Sequence, residues 1–173
     1  MKIKHTLCGV SLLALLVAGV AVFAGFPAHL DGQDANSQAS PDVNDLFAKR
    51  AALVNDSDDF NKMLQSLGTS SPNFWLESQV ADSASTGTVL IADAIWFLAV
   101  YEKMQCEPDR FTAKGALKNR LNFYSNALGA EADVIANSLA VEKSPAMTQS
   151  GFRIRDDLRA AKDKMDSLNA SLK

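Results

Sequence analysis

Histidine is the side chain most used for metal binding, haem ligation and proton transfer near neutral pH, and this chain carries it only at His5 and His29. From residue 41 onward there is no imidazole. That excludes imidazole zinc sites, histidine-ligated haem, di-iron sites of the Glu-x-x-His kind and every histidine-based triad from that region. CxxC and CxxCH motifs are absent as well. Carboxylates, one thiol and aromatic rings are the chemistry left, and no metal or cofactor is expected.

Carboxylates are densest at Asp56, Asp58 and Asp59, within Asn55–Asp59 (NDSDD). A glycosidase or a cation site needs only carboxyl groups, but this spacing lacks the glycine and the distal glutamate of a calcium loop. A solvated kink in a helix is the expected reading, because Asn, Ser and Asp compete for backbone hydrogen bonds. Asp93 is a different case. On a helical wheel it falls among Val89, Trp96, Phe97, Val100 and Met104, where an unpaired carboxylate is costly. It therefore calls for a partner: Arg50, between Phe47 and Leu53 on an apolar stripe, or alternatively Arg110 or Arg120. A structural ion pair is the main reading, and a ligand- or partner-facing site of Asp93, Arg50 and Trp96 is the other.

Phe74, Trp75, Trp96 and Phe97 read first as core packing and second as the walls of an apolar pocket. Cys106 is the only cysteine beyond the N-terminal apolar run. It is a candidate free thiol, either a small half-buried side chain near a helix end or a thiol available to a second molecule.

The elements that must position these groups are helical. With 47% apolar and 21% charged residues, the 173-residue chain has the composition of a folded protein. Ser40-Pro41-Asp42 and Ser144-Pro145 are helix starts, with a capping hydroxyl followed by proline. After them apolar residues recur at steps of three and four: Val43, Leu46, Leu53, Phe60 and Leu64 in one block; Met147, Gly151, Ile154, Leu158, Ala161 and Met165 in another. Between these lie Val89–Tyr101, apolar on nearly all sides, and a stripe from Phe111 through Leu117, Leu121 and Leu128 to Leu139. Gly68 and Pro108 punctuate, while Ser83–Thr88 (SASTGT) and Gly129 are places where a helix is expected to weaken. The charges from Arg153 to Asp166 mix both signs and read as a solvated face. The expectation is an all-α, up-down four-helix bundle with helices at about 41–67, 73–105, 109–142 and 145–172, following a hydrophobic leader helix.

The leader is expected within residues 1–28. Lys2 and Lys4 precede a run from Thr6 through Ala28 of 23 residues without a charged side chain, and Asp31 and Asp34 follow it. That order places the remainder outside the cytoplasm. Val22-Phe23-Ala24 offers a cleavage site, yet the run is also long enough to span a bilayer, so a signal peptide and a retained signal anchor are both compatible with it. Leu7-Cys8-Gly9 is not a lipoprotein site, because the apolar run follows the cysteine instead of preceding it. Residues 29–40 read as a flexible linker and 41–173 as the bundle domain.

Net charge is −3, and setting Lys2 and Lys4 aside leaves 15 basic against 20 acidic residues, or −5. Nucleic acid is not an expected partner, and the membrane is expected to be met only through residues 6–26 if they are retained. A local basic face is compatible with these numbers. The expected function is non-enzymatic: a periplasmic or otherwise extracytoplasmic interaction or scaffolding module whose partner is another cell-envelope protein. The alternative is a small-molecule or lipid-binding bundle with a pocket near Asp93 and Trp96.

Overall fold

The computed structural model describes residues 39–172. They form four α-helices, α1 (Pro41–Leu67), α2 (Phe74–Glu102), α3 (Glu107–Leu139) and α4 (Pro145–Ser171), with a 3-10 turn at Gly68–Ser70 and no strand. The fold of the described residues is all-α, as expected. The leader of residues 1–28 and most of the 29–40 linker lie outside them.

The helix starts follow the capping chemistry. The Ser40 hydroxyl accepts from the Val43 N–H at 3.2 Å and the Ser144 hydroxyl from the Met147 N–H at 3.4 Å, each followed by proline in the first turn. Gly68, at φ +59°, stops α1 in a conformation that favours glycine. α3 begins at Glu107, two residues before the expected start, because Pro108 sits comfortably in a first turn that needs no N–H from it.

None of the three expected weak points interrupts a helix: Asn55–Asp59, Ser83–Thr88 and Gly129 all lie within continuous helix. Ser83–Thr88 instead supplies a close approach between helices. Ser83, Ala84 and Gly87 continue through Ile91, Ala94 and Leu98 as the buried stripe of α2. A Cβ placed on Gly87 would overlap Leu158 Cδ2 and lie 3.3 Å from Leu53 and 3.6 Å from Leu128. One leucine from each of the other three helices thus converges on a single missing side chain. By length and composition α2 is also the one helix, among the described residues, able to cross a membrane. Here its small-residue stripe is covered by α1, α3 and α4.

α1 packs on α2, α2 on α3, α3 on α4 and α4 back on α1, with a smaller contact between α2 and α4. Phe60, Ile91, Leu128 and Leu158, one from each helix, are fully buried in a common core. Polar ties join the same pairs. Ser40 donates to Glu102 at 2.6 Å, Ser138 to Gln79 at 3.2 Å and Lys164 to Asp42 at 2.8 Å. Ser125 donates to Asp166 at 2.5 Å.

Gly115 offers a direct check on the helical frame. It is exposed within α3, and a Cβ there meets nothing within 4 Å. Gly115→Ala is therefore expected to raise stability by about 0.5–1 kcal/mol, measured by urea denaturation, because only backbone entropy changes.

Candidate functional site

The apolar arc of α2 is wider than its packed stripe, so side chains at its margin emerge at the surface. Trp96 is 47% and Val89 57% exposed, and on the adjoining α3 Phe123 is 58% exposed. The Trp96 and Phe97 rings meet edge to face at 4.9 Å. Phe97 lies 6.5 Å from Tyr124, and Tyr124 lies 5.6 Å from Phe123. The Arg120 guanidinium stands over Phe97 at 5.2 Å. An aromatic ridge therefore crosses the α2–α3 seam, anchored on the buried Tyr124, with an arginine on top and Asp93 beside it.

Electrostatics links the polar members. Burial pushes the Asp93 carboxyl above its ordinary range while the charge of Arg120 pulls it down. Burial, followed by the charge of Asp93, pushes the Tyr124 hydroxyl up. Of the three arginines considered as partners for Asp93, Arg120 is the one that acts on it, and not through a close pair. No ion pair among the described residues includes Asp93 or Arg50. This corrects the expected Asp93–Arg50 bridge. Asp93 lies at the margin of the packed stripe, facing α3 and not α1, where water supplies part of its solvation. Arg50 is half-buried, and its Nε is buried without a hydrogen-bond acceptor.

Two further expectations are corrected. Trp75 and Trp96 are not core residues. Trp75 is 73% exposed and stands some 21 positions from Trp96 along α2, roughly 30 Å at the helical rise, so the four rings do not enclose a common pocket. A depression of about 580 Å3 lies elsewhere, on the first turns of α4 and the turn before it, lined by Glu142, Thr148, Phe152, Arg153 and Asp156 among others, and it is broadly open to solvent. Cys106 is not a free thiol but disulfide-bonded. The only other cysteine of the chain, Cys8, lies outside the described residues.

The acidic run separates on the helix surface. Asp58 is exposed, and Asp59 pairs with Lys62 at 3.1 Å. Asp56 turns towards α4, with Arg153 at 3.7 Å. No group able to hold a metal ion occurs among the described residues. What pattern reading missed is Asp157, taken as part of a solvated face. It is half-buried on the α1–α4 seam, and burial, with the charge of Asp56 next, raises its carboxyl to about 6. Glu77 was missed too. It is 2% exposed in the first turn of α2, where one carboxylate oxygen accepts from Ser71 at 2.8 Å and the other is buried without a hydrogen-bond partner.

Asp157 gives a pH prediction. Its folded-state pKa lies above its unfolded value, so its ionisation opposes folding. Stability is full below about pH 4, falls as pH rises through about 6, and is flat above that. Asp157→Asn is expected to raise stability at pH 8 by about 1–2 kcal/mol after allowance for screening at a half-exposed site, and to change little at pH 4. Paired thermal melts at the two pH values measure the difference.

Compared with known proteins, the chain matches no family model, no curated protein and no solved structure.

Proposed function

We propose that this chain is a non-enzymatic interaction or scaffolding module, exported to the periplasm or another extracytoplasmic compartment, that docks another envelope protein on its α2–α3 face. The observation that carries the reading is the pair of exposed rings Trp96 and Phe123, joined through half-buried Phe97 and buried Tyr124 and capped by Arg120. Tryptophan, tyrosine, phenylalanine and arginine are the residues enriched where partners bind, and tightly grouped exposed rings mark such surfaces. Half-exposed rings that already pack on one another present contact area with little rotamer entropy left to lose. On this reading the four helices run alternately up and down, and residues 6–26 serve either as a removed leader or as an inner-membrane tether. The small-molecule alternative is less favoured, because the depression beside α4 contains neither Asp93 nor Trp96.

The test is chemical crosslinking in intact cells. The native chain is expected to give a discrete heavier adduct that the Trp96→Ala/Phe123→Ala variant loses at equal expression. An adduct that survives in that variant would move the docking surface elsewhere.

A further inference from the structure

The outward face of α3 is short of charge. Between Arg120 and the end of the helix its exposed residues are Asn122, Phe123, Asn126, Ala130, Val134 and Asn137, with Asp133 the one charge among them. α4 shows what a solvated face of this bundle looks like. From Arg153 to Asp166 its exposed residues are Arg153, Asp156, Arg159, Asp163 and Asp166, with Ala160 the one uncharged. On α3 three exposed asparagines, Asn119, Asn126 and Asn137, return at steps of seven and eleven residues, about two and three turns, so they share one line along the helix. Charge is depleted where a surface is covered by a partner.

The charges that flank this face are sorted by sign. Lys118 and Arg120 lie on its N-terminal half, Glu131 and Asp133 on its C-terminal half. They also occupy matching edges. Arg120 leans over Phe97 of α2, and Glu131, about three turns on, returns to that edge. Asp133 leans to Arg159 of α4 at 3.6 Å, and Lys118 lies on that side. An antiparallel copy of α3 related by a two-fold axis brings like edges together with opposite ends. Lys118 then faces Asp133 of the copy, Arg120 faces Glu131, and both pairs are centred between Ser125 and Asn126. Asn126 falls beside the axis, where one side-chain amide both donates to and accepts from the other. The Asp133 side chain is 73% exposed, open to a second cation. A face that complements its own charges about one centre fits a second copy of itself.

We propose that two copies of this chain pair antiparallel through the outward face of α3, with Asn126 at the two-fold axis and Lys118–Asp133 and Arg120–Glu131 bridges closing the edges. Arg120 also caps the ridge, so the pairing deepens the docking reading and rests on it at that residue: the second copy bounds the ridge on its α3 side, and Trp96 stays open to the envelope protein.

Two copies of the full chain with different epitope tags are expressed together in intact cells, one of them carrying p-benzoylphenylalanine at position 126. Irradiation is expected to give a species of twice the chain mass that carries both tags. The same residue at position 163, on the charged face of α4, is expected to give none. Lys118→Glu reverses two symmetry-related contacts and is expected to lower the yield roughly tenfold, and Lys118→Glu/Asp133→Lys to restore it. Trp96→Ala is expected to leave the doubly tagged species in place. Absence of that species, or a yield that Lys118→Glu does not move or the double change does not restore, overturns the pairing. An adduct at position 126 with a different protein in its place also overturns the pairing and leaves the docking reading standing. The doubly tagged species, with no adduct to any other protein from position 96, supports the pairing and overturns the docking reading.

Discussion

Gly87→Val/Leu158→Ala is expected to be markedly more stable than its two component changes imply. Leu158→Ala alone removes a fully buried side chain and leaves a void, at a cost of about 2–5 kcal/mol. Gly87→Val alone forces a branched side chain onto Leu158 Cδ2, with Leu53 3.3 Å from the new Cβ, so overpacking costs about 1–3 kcal/mol. Together, the valine methyls occupy part of the space that the leucine vacates. A favourable coupling of about 1–2 kcal/mol should appear in a double-mutant cycle followed by urea denaturation. Strict additivity would mean that α2 and α4 do not meet at Gly87.

The second large effect falls on binding. Removing Trp96 from the ridge is expected to weaken partner docking by about 2 kcal/mol or more, roughly 30-fold in Kd, as central tryptophans do at protein interfaces. The cost to folding is smaller, about 1 kcal/mol from the edge-to-face contact with Phe97. Trp75→Ala is the control. It removes the same kind of side chain at greater exposure, at the far end of α2, and should leave binding unchanged. Equal losses from both variants would point to a non-specific apolar effect and not to a ridge.

The helices were legible because their boundaries are set by local chemistry. Capping serines followed by proline and a left-handed glycine act within a few residues, and the periodic leucines of α1 and α4 declare one buried face each. α2 was harder to read. A helix apolar almost all round carries no directional signal, so its wheel placed Asp93 and Trp96 inside when the packed direction is set by the small residues Ser83, Ala84 and Gly87. Small side chains look like interruption in one dimension and like close approach in three. Asp157 escaped notice for a related reason. Its neighbours on α4 are exposed charges, and only the position of α1 turns it into a seam residue beside Asp56. Partners between helices, such as Arg120 for Asp93, depend on relative rotation, which periodicity does not encode.

The central proposal is that the α2–α3 ridge is the docking surface. Its most direct test is in-cell photocrosslinking with p-benzoylphenylalanine placed singly at positions 96 and 123 on the ridge, and at positions 62 and 163 on other exposed faces. Light-dependent adducts of one common mass at 96 and 123, and none at 62 and 163, are the predicted result. Adducts at 62 or 163 with silence at 96 and 123 would contradict it.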